Sequence, residues 1–177
     1  MAPEVPLEQA QEEIAHHAHE SAERWIMGVA LTAAVLAGLA AITALLAEHH
    51  ANEALIKQIQ ASDTWGYYQA KGIKSAILQT RIAQLAVTNT KDTKAEQDVK
   101  RYAEEQDTLF HKGKELEADS EHHLACHVPL SRGVTMFQVA IAVAAISALT
   151  RRKGYWWLAI GFGLAGLVFL TWGIAIP

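Results

Sequence analysis

The chain has 177 residues, a formal charge of −4 and 51% hydrophobic residues, and its one cysteine, Cys126, excludes an intrachain disulfide. A weakly acidic balance offers no footing for nucleic acid, so none is expected as a partner. The apolar residues collect into three blocks, separated by stretches rich in Glu, Lys, Gln, Ala and His; this is the segregation of a membrane protein with a polar extension.

Residues 1–24 are polar. Leu7, Ala10, Ile14, Ala18 and Ala22 recur near helical spacing and predict a weakly amphipathic helix. Glu4, Glu8, Glu12 and Glu13 make this start acidic where a secretory signal would be basic. His16, His17 and His19 cluster before the first apolar block and read as a solvated face in preference to a metal tract.

Residues 25–47 form the first predicted span. Positions 26–46 carry no charge, and about 20 such residues cover a hydrocarbon core of roughly 30 Å. Trp25 marks the interface, with Arg24 beside it to snorkel. Ala30, Ala33, Ala34, Ala37, Ala41 and Ala44 make a small-residue stripe that would let another helix approach closely. No Pro or Gly separates 46 from 54, so the helix is expected to continue out of the bilayer.

Residues 48–129 are charged and helix-forming, with their turn signal at 88–93. Rooted in apolar blocks at both ends, this stretch predicts an extramembrane antiparallel helical hairpin, coiled-coil-like in its packing. The first arm carries its apolar signal at Leu55, Ile56, Ile59, Ala70, Ile73, Ala76, Ile77, Ala83 and Val87. Gly66 and Gly72, poor helix residues, mark close helix contact or a local weak point. Trp65, Tyr67 and Tyr68 fall within four residues, and neighbours on a helix point about 100° apart. One antiparallel partner would leave part of this set uncovered, so Trp65, Gly66, Tyr67, Tyr68 and Ala70 are expected to contact another copy.

Thr93 and Glu96 have capping-box spacing for the second arm. Val99, Tyr102, Gln106, Leu109, Gly113, Leu116, Ser120, His123 and His127 then step by three and four, a heptad seam interrupted by polar residues and glycine. A two-helix antenna buries little surface alone, which points to a homo-oligomer.

Residues 130–150 form the second predicted span, entered after Pro129 and flanked by Arg132, with Gln138 its one strongly polar interior residue. Arg151, Arg152, Lys153 and Gly154 predict a tight turn, and Tyr155, Trp156 and Trp157 anchor the third span, 155–176. The basic turn places itself and the N-terminus in the cytoplasm, and the hairpin on the other side of the membrane.

Three motifs bear on chemistry. Gly161, Gly163 and Gly166 match G-x-G-x-x-G, but inside a predicted span and with no strand before it, so they read as helix-packing glycines. His123, Cys126 and His127 share one helix face, with His122 adjacent, and His49 and His50 return to the same level in a symmetric hairpin. Imidazole with thiolate suits zinc or copper, and no other cofactor is expected. The bland reading is a solvated helix end. Glu104, Glu105, Glu115 and Glu117 lie among lysines as a solvated face, and no enzyme activity is expected.

The run Ala51-Asn52-Glu53-Ala54-Leu55, followed by ASDTWGYYQAKGIK from Ala61 to Lys74, resembles the hallmark of a bacterial membrane-protein family catalogued as domain of unknown function 4337. The resemblance extends over nearly the whole chain. It implies a bacterial membrane protein and supplies no activity, cofactor or site residue; with the three predicted spans, a multi-pass place in the inner (cytoplasmic) membrane is expected. The sequence thus predicts an all-α membrane protein, with the lipid bilayer and other copies of itself as partners. Its expected role is a homo-oligomeric scaffold or interaction protein. The alternative is an oligomeric channel or transporter lined by the first span, and a metal-binding or sensing protein comes third.

Overall fold

Long uninterrupted runs of helix formers produce three helices in the computed structural model, which describes the backbone of residues 6–176 and the side chains of 24–176. They are α1 (Pro6–Val87), α2 (Thr93–Thr150) and α3 (Lys153–Ala175). The side chains of the His16, His17 and His19 tract lie outside the described residues. All three helices are long and apolar enough to cross a membrane. Helix α1 carries the first apolar block and the first hairpin arm without a break, as the absence of Pro and Gly between 46 and 54 leads one to expect.

Helix α2 likewise runs through Pro129, so the second span does not begin at a helix break. Proline lacks the N–H that would bond to the carbonyl of residue 125, yet the flanking turns hold the helix together. The basic turn is shorter than predicted: only Arg151 and Arg152 separate α2 from α3, and Gly154 is already helical. Arg151 takes a left-handed φ of 53°, and the Ser147 hydroxyl donates to the Arg152 carbonyl at 3.0 Å.

By contact the chain divides into two compact units, one of residues 48–127 and one of the flanking stretches. In the flanking unit, α1 contributes bulk and α3 contributes gaps. Val29 packs with Ala144 and Ala159, and Leu36 with Phe137 and Ala140. The buried residues of α3 are Ala159, Gly163, Gly166 and Gly173, a small-residue line at near-heptad spacing into which side chains of the other helices fit. A Cβ on Gly163 would stand 2.7 Å from Leu36, one on Gly166 2.7 Å from the Phe137 ring, and one on Gly173 2.6 Å from Leu130. Gly161 faces nothing within 4 Å.

Within the single chain, the small-residue stripe of the first span is left mostly open. Its Ala30, Ala34, Ala37, Ala41 and Ala44 are exposed, and only Ala33 is half-buried. The close approach is supplied by the glycines of α3, so α1 turns its large Val29 and Leu36 inward and leaves the alanines outside.

The hairpin unit reverses at residues 88–92. Asn89 has a left-handed φ of 56°, its N–H bonds to the Ala86 carbonyl, and the Thr90 N–H reaches back to the Leu85 carbonyl, each at 3.1 Å. That pair of bonds is a Schellman motif, which satisfies carbonyls the helix end leaves open. Helix α2 is capped by Asp92, not by the predicted Thr93–Glu96 box: the Asp92 carboxylate accepts from the Ala95 N–H at 3.0 Å. Asp92 sits one residue before the first helical position and also pairs with Arg81 of the first arm at 2.9 Å. Asp92→Ala should therefore lower hairpin stability by about 1 kcal/mol, the usual worth of an N-cap, read as an earlier urea midpoint in far-UV circular dichroism. An unchanged midpoint would show that the cap contributes nothing.

Candidate functional site

The arms of the hairpin pair antiparallel, partners on α2 and its N-cap falling in number as those on α1 rise. His50 meets His123, Lys57 meets Asp119, Trp65 meets Glu117, Tyr68 meets Gln106, and Arg81 meets Asp92. The predicted second-arm seam is found inward: Gly113, Leu116 and Ser120 are buried, and Val99, Tyr102, Gln106, Leu109, His123 and His127 are half-buried. The first arm meets it with small residues, Ala54, Ala61 and Ser75, all buried. The Ser120 hydroxyl donates to the Ala54 carbonyl at 2.9 Å across the buried interface. Next to Gly72, which has no side chain in the way, Gln106 donates to the Tyr68 carbonyl at 3.3 Å.

Ion pairs edge this seam. Lys57 bonds to Asp119 at 3.0 Å, and Lys71 pairs with Glu105. The bond from Lys57 holds the Asp119 carboxyl below its ordinary value, as Lys71 does for Glu105. Such pairs keep contact with solvent, which screens them, so they contribute little to stability.

The aromatic segment divides between two faces. Trp65 lies against the bare backbone of Gly113, where a Cβ would stand 2.9 Å from its ring. Its indole N–H donates to Glu117 at 2.9 Å, and its ring meets Tyr68 and Phe110 edge-to-face at 5.5 and 5.6 Å. Trp65 and Tyr68 are thus covered within one chain, i and i+3 on one face. Gly66, Tyr67 and Ala70 remain on the open side. Tyr67 borders a shallow cleft of about 370 Å³ with Lys71, Glu105, Thr108 and Leu109.

The histidines gather at the other end of the unit. His50 Nδ1 and His123 Nδ1 are 3.1 Å apart, so one must carry the hydrogen and the other accept it. His49 stacks edge-on with His50, and His122 with His123. Cys126 is buried, its sulfur 3.9 Å from His122 Nε2. His123, Cys126 and His127 do face inward together, and the contacts formed include the pairs His50–His123 and His122–Cys126. A zinc or copper centre needs three or four converging donors, and among the described residues no group of three or more is placed to hold an ion.

Burial pushes the His50 pKa below its ordinary 6.5, and His123, His49, His122 and His127 add to the shift in that order. With the folded-state pKa depressed, the unfolded chain binds more protons below 6.5. The stability linked to His50 is present above 6.5 and is lost as pH falls through 6.5 toward the lowered folded-state value. The thermal midpoint should drop between pH 7.5 and 5.5, above the range where the carboxylates titrate, and His50→Gln should flatten that slope. A slope equal in both proteins would remove His50 from the cause.

Helices, packing and hairpin together define an all-helical chain with three helices of membrane-crossing length and apolarity. The chain belongs to the family described as a domain of unknown function (DUF4337), which matches residues 25–176. No curated protein and no solved structure matches it.

Proposed function

We propose that this chain is a multi-pass protein of a bacterial cytoplasmic membrane, and that its hairpin, outside the bilayer, joins those of other copies as a scaffold or interaction platform. One observation supports this reading most. The hairpin's own seam is filled, yet the first arm keeps Leu55, Ile59, Tyr67, Ile73 and Ile77 more than half exposed. Leu55, Ile59, Ile73 and Ile77 share one side of the helix, and an exposed apolar row of this kind on a solvated element marks an interaction surface.

The rival, a channel lined by the first span, draws support from its uncovered alanines and from Gly38, which has nothing within 4 Å. Against it, positions 26–46, 133–149 and 155–176 contain no Asp, Glu, Lys or Arg, whereas ion and proton paths usually place ionisable residues within the membrane.

Light scattering of the detergent-solubilised protein at several dilutions tests assembly; a single-chain mass throughout would overturn it. Cys126, at 2% exposure, is too buried to report topology. A Thr90→Cys reporter at the hairpin tip, in a Cys126→Ala background, should react with an impermeant maleimide on intact cells. Reaction only after lysis would reverse the orientation.

A further inference from the structure

We propose that the first hairpin arm packs against the same arm of a second copy, side by side and in parallel about a two-fold axis, through an uncharged stripe running from Leu55 toward Val87. This inference rests on the membrane reading above, because copies inserted the same way in one bilayer carry their first arms in the same direction.

The stripe is a second seam, separate from the one the hairpin closes on itself. Leu55, Ile59, Gly66, Ala70, Ile73 and Ile77 follow one another at steps of three, four or seven, the repeat that keeps residues along one side of a helix facing a neighbour. All six are exposed, and none belongs to the inward face that meets α2. Ser62, Thr80 and Gln84 continue the line, and no Asp, Glu, Lys or Arg interrupts it. At its middle, Gly66 has nothing within 4 Å of where its Cβ would be. With Ala70 one turn on, it leaves a shallow place where a second backbone can come close.

Charge decides which surface fits the stripe. The outward side of the second arm carries Lys94, Arg101, Glu104, Lys112 and Glu115, all exposed. Seating an apolar stripe there would strip water from charges without pairing them. The surface that matches the stripe is the stripe itself, which makes the contact isologous. An anionic lipid surface fits less well: acidic residues outnumber Lys and Arg between 48 and 127, whereas helices that lie on membranes are flanked by cations.

The area is sufficient for a tethered pair. From Leu55 to Val87 the stripe runs about 50 Å at 1.5 Å per residue. At about 10 Å of width it would bury roughly 500 Å² per copy and about 1,000 Å² in all, the floor for a specific interface. Confinement of both copies to one bilayer raises their effective concentration, so a modest area is enough.

Single cysteines test the stripe in a Cys126→Ala background. Ile59→Cys, Ile73→Cys and Thr80→Cys lie on the stripe; Glu104→Cys and His111→Cys lie on the charged side of the second arm. After diamide oxidation of protein in phosphatidylcholine–phosphatidylglycerol vesicles, all three stripe positions should give disulfide-linked dimer, at least tenfold above the two controls. An antiparallel pair would link only at its centre, so loss of either end position overturns the parallel arrangement. Linkage at the controls alone, with a multi-chain mass in detergent, overturns the stripe and leaves the scaffold reading standing. A single-chain mass without linkage overturns both. Stripe cysteines shielded from maleimide by vesicles, in a protein of single-chain mass, would give the stripe to lipid and overturn the inference. A second variant avoids any folding failure at a cysteine: Ile73 is 62% exposed, so Ile73→Glu should keep full helicity and reduce the particle mass. Unchanged mass would sink the proposal.

Discussion

Gly161→Ala and Gly166→Ala, five residues apart in α3, should shift the melting temperature in opposite directions. Both positions are helical, so each alanine gains up to about 1 kcal/mol of helix propensity. At Gly161 nothing lies within 4 Å of the new methyl group, so the gain stands alone. At Gly166 the methyl would meet Cδ1 and Cε1 of Phe137 at 2.7 Å and Cζ at 3.0 Å. Phe137 has no exposed surface and packs with Leu36 and Ala140, so its ring has no free space to move into. Overpacking of this kind costs about 1–3 kcal/mol, which exceeds the propensity gain. Between helices in lipid, where the hydrophobic effect no longer drives association, van der Waals fit is a main source of cohesion, and the loss is felt directly.

At about 2–4 °C per kcal/mol for a chain of this size, Gly166→Ala should melt several degrees early in detergent and Gly166→Leu earlier still. Shortening the opposing ring with Phe137→Leu should recover part of the loss, a coupling a double-mutant cycle would read. Equal shifts at 161 and 166 would mean that α3 does not pack through this face.

The second-arm seam was legible because its residues alternate by three and four through a charged background, and every predicted position from Val99 to His127 lies inward. The first arm misleads for a physical reason. The apolar positions that the pattern picks out, Leu55, Ile56, Ile59, Ile73, Ile77 and Val87 among them, point outward, while the inward face combines the small Ala54, Ala61, Gly72 and Ser75 with Trp65, Tyr68, Leu78, Ile82 and Leu85. Size alternates across the seam: Gly72 makes room for the Gln106 side chain, and Gly113 of the second arm makes room for Trp65. The Thr93–Glu96 spacing looked like a cap, but an aspartate one residue earlier accepts the bond. At the histidine end, proximity of His50 to His123 followed from the symmetry of a hairpin, whereas which pairs touch depends on rotation of the helices about their axes. A sequence without partners or ligands does not specify that rotation.

Trp65→Ala should destabilise the hairpin by about 2–3 kcal/mol, the lower part of the range for removing a packed aromatic, because the ring is half-buried rather than enclosed. Three contacts are lost together: the stacking on Gly113, the edge-to-face pairs with Tyr68 and Phe110, and the bond to Glu117. Trp65→Phe keeps much of the packing and drops the N–H donor, so it should cost about 1 kcal/mol, the usual net worth of a hydrogen bond. Tyr67→Ala removes a ring that is 65% exposed and should stay within about 0.5 kcal/mol, as surface substitutions do. Urea titration of the detergent-solubilised variants, followed by loss of helical circular dichroism, ranks them. The expected order of midpoints is Tyr67→Ala above Trp65→Phe above Trp65→Ala. A Trp65→Ala midpoint equal to that of Tyr67→Ala would show that the indole is not a packing element of the hairpin, and would return Trp65 and Tyr68 to the role of contacts with another copy.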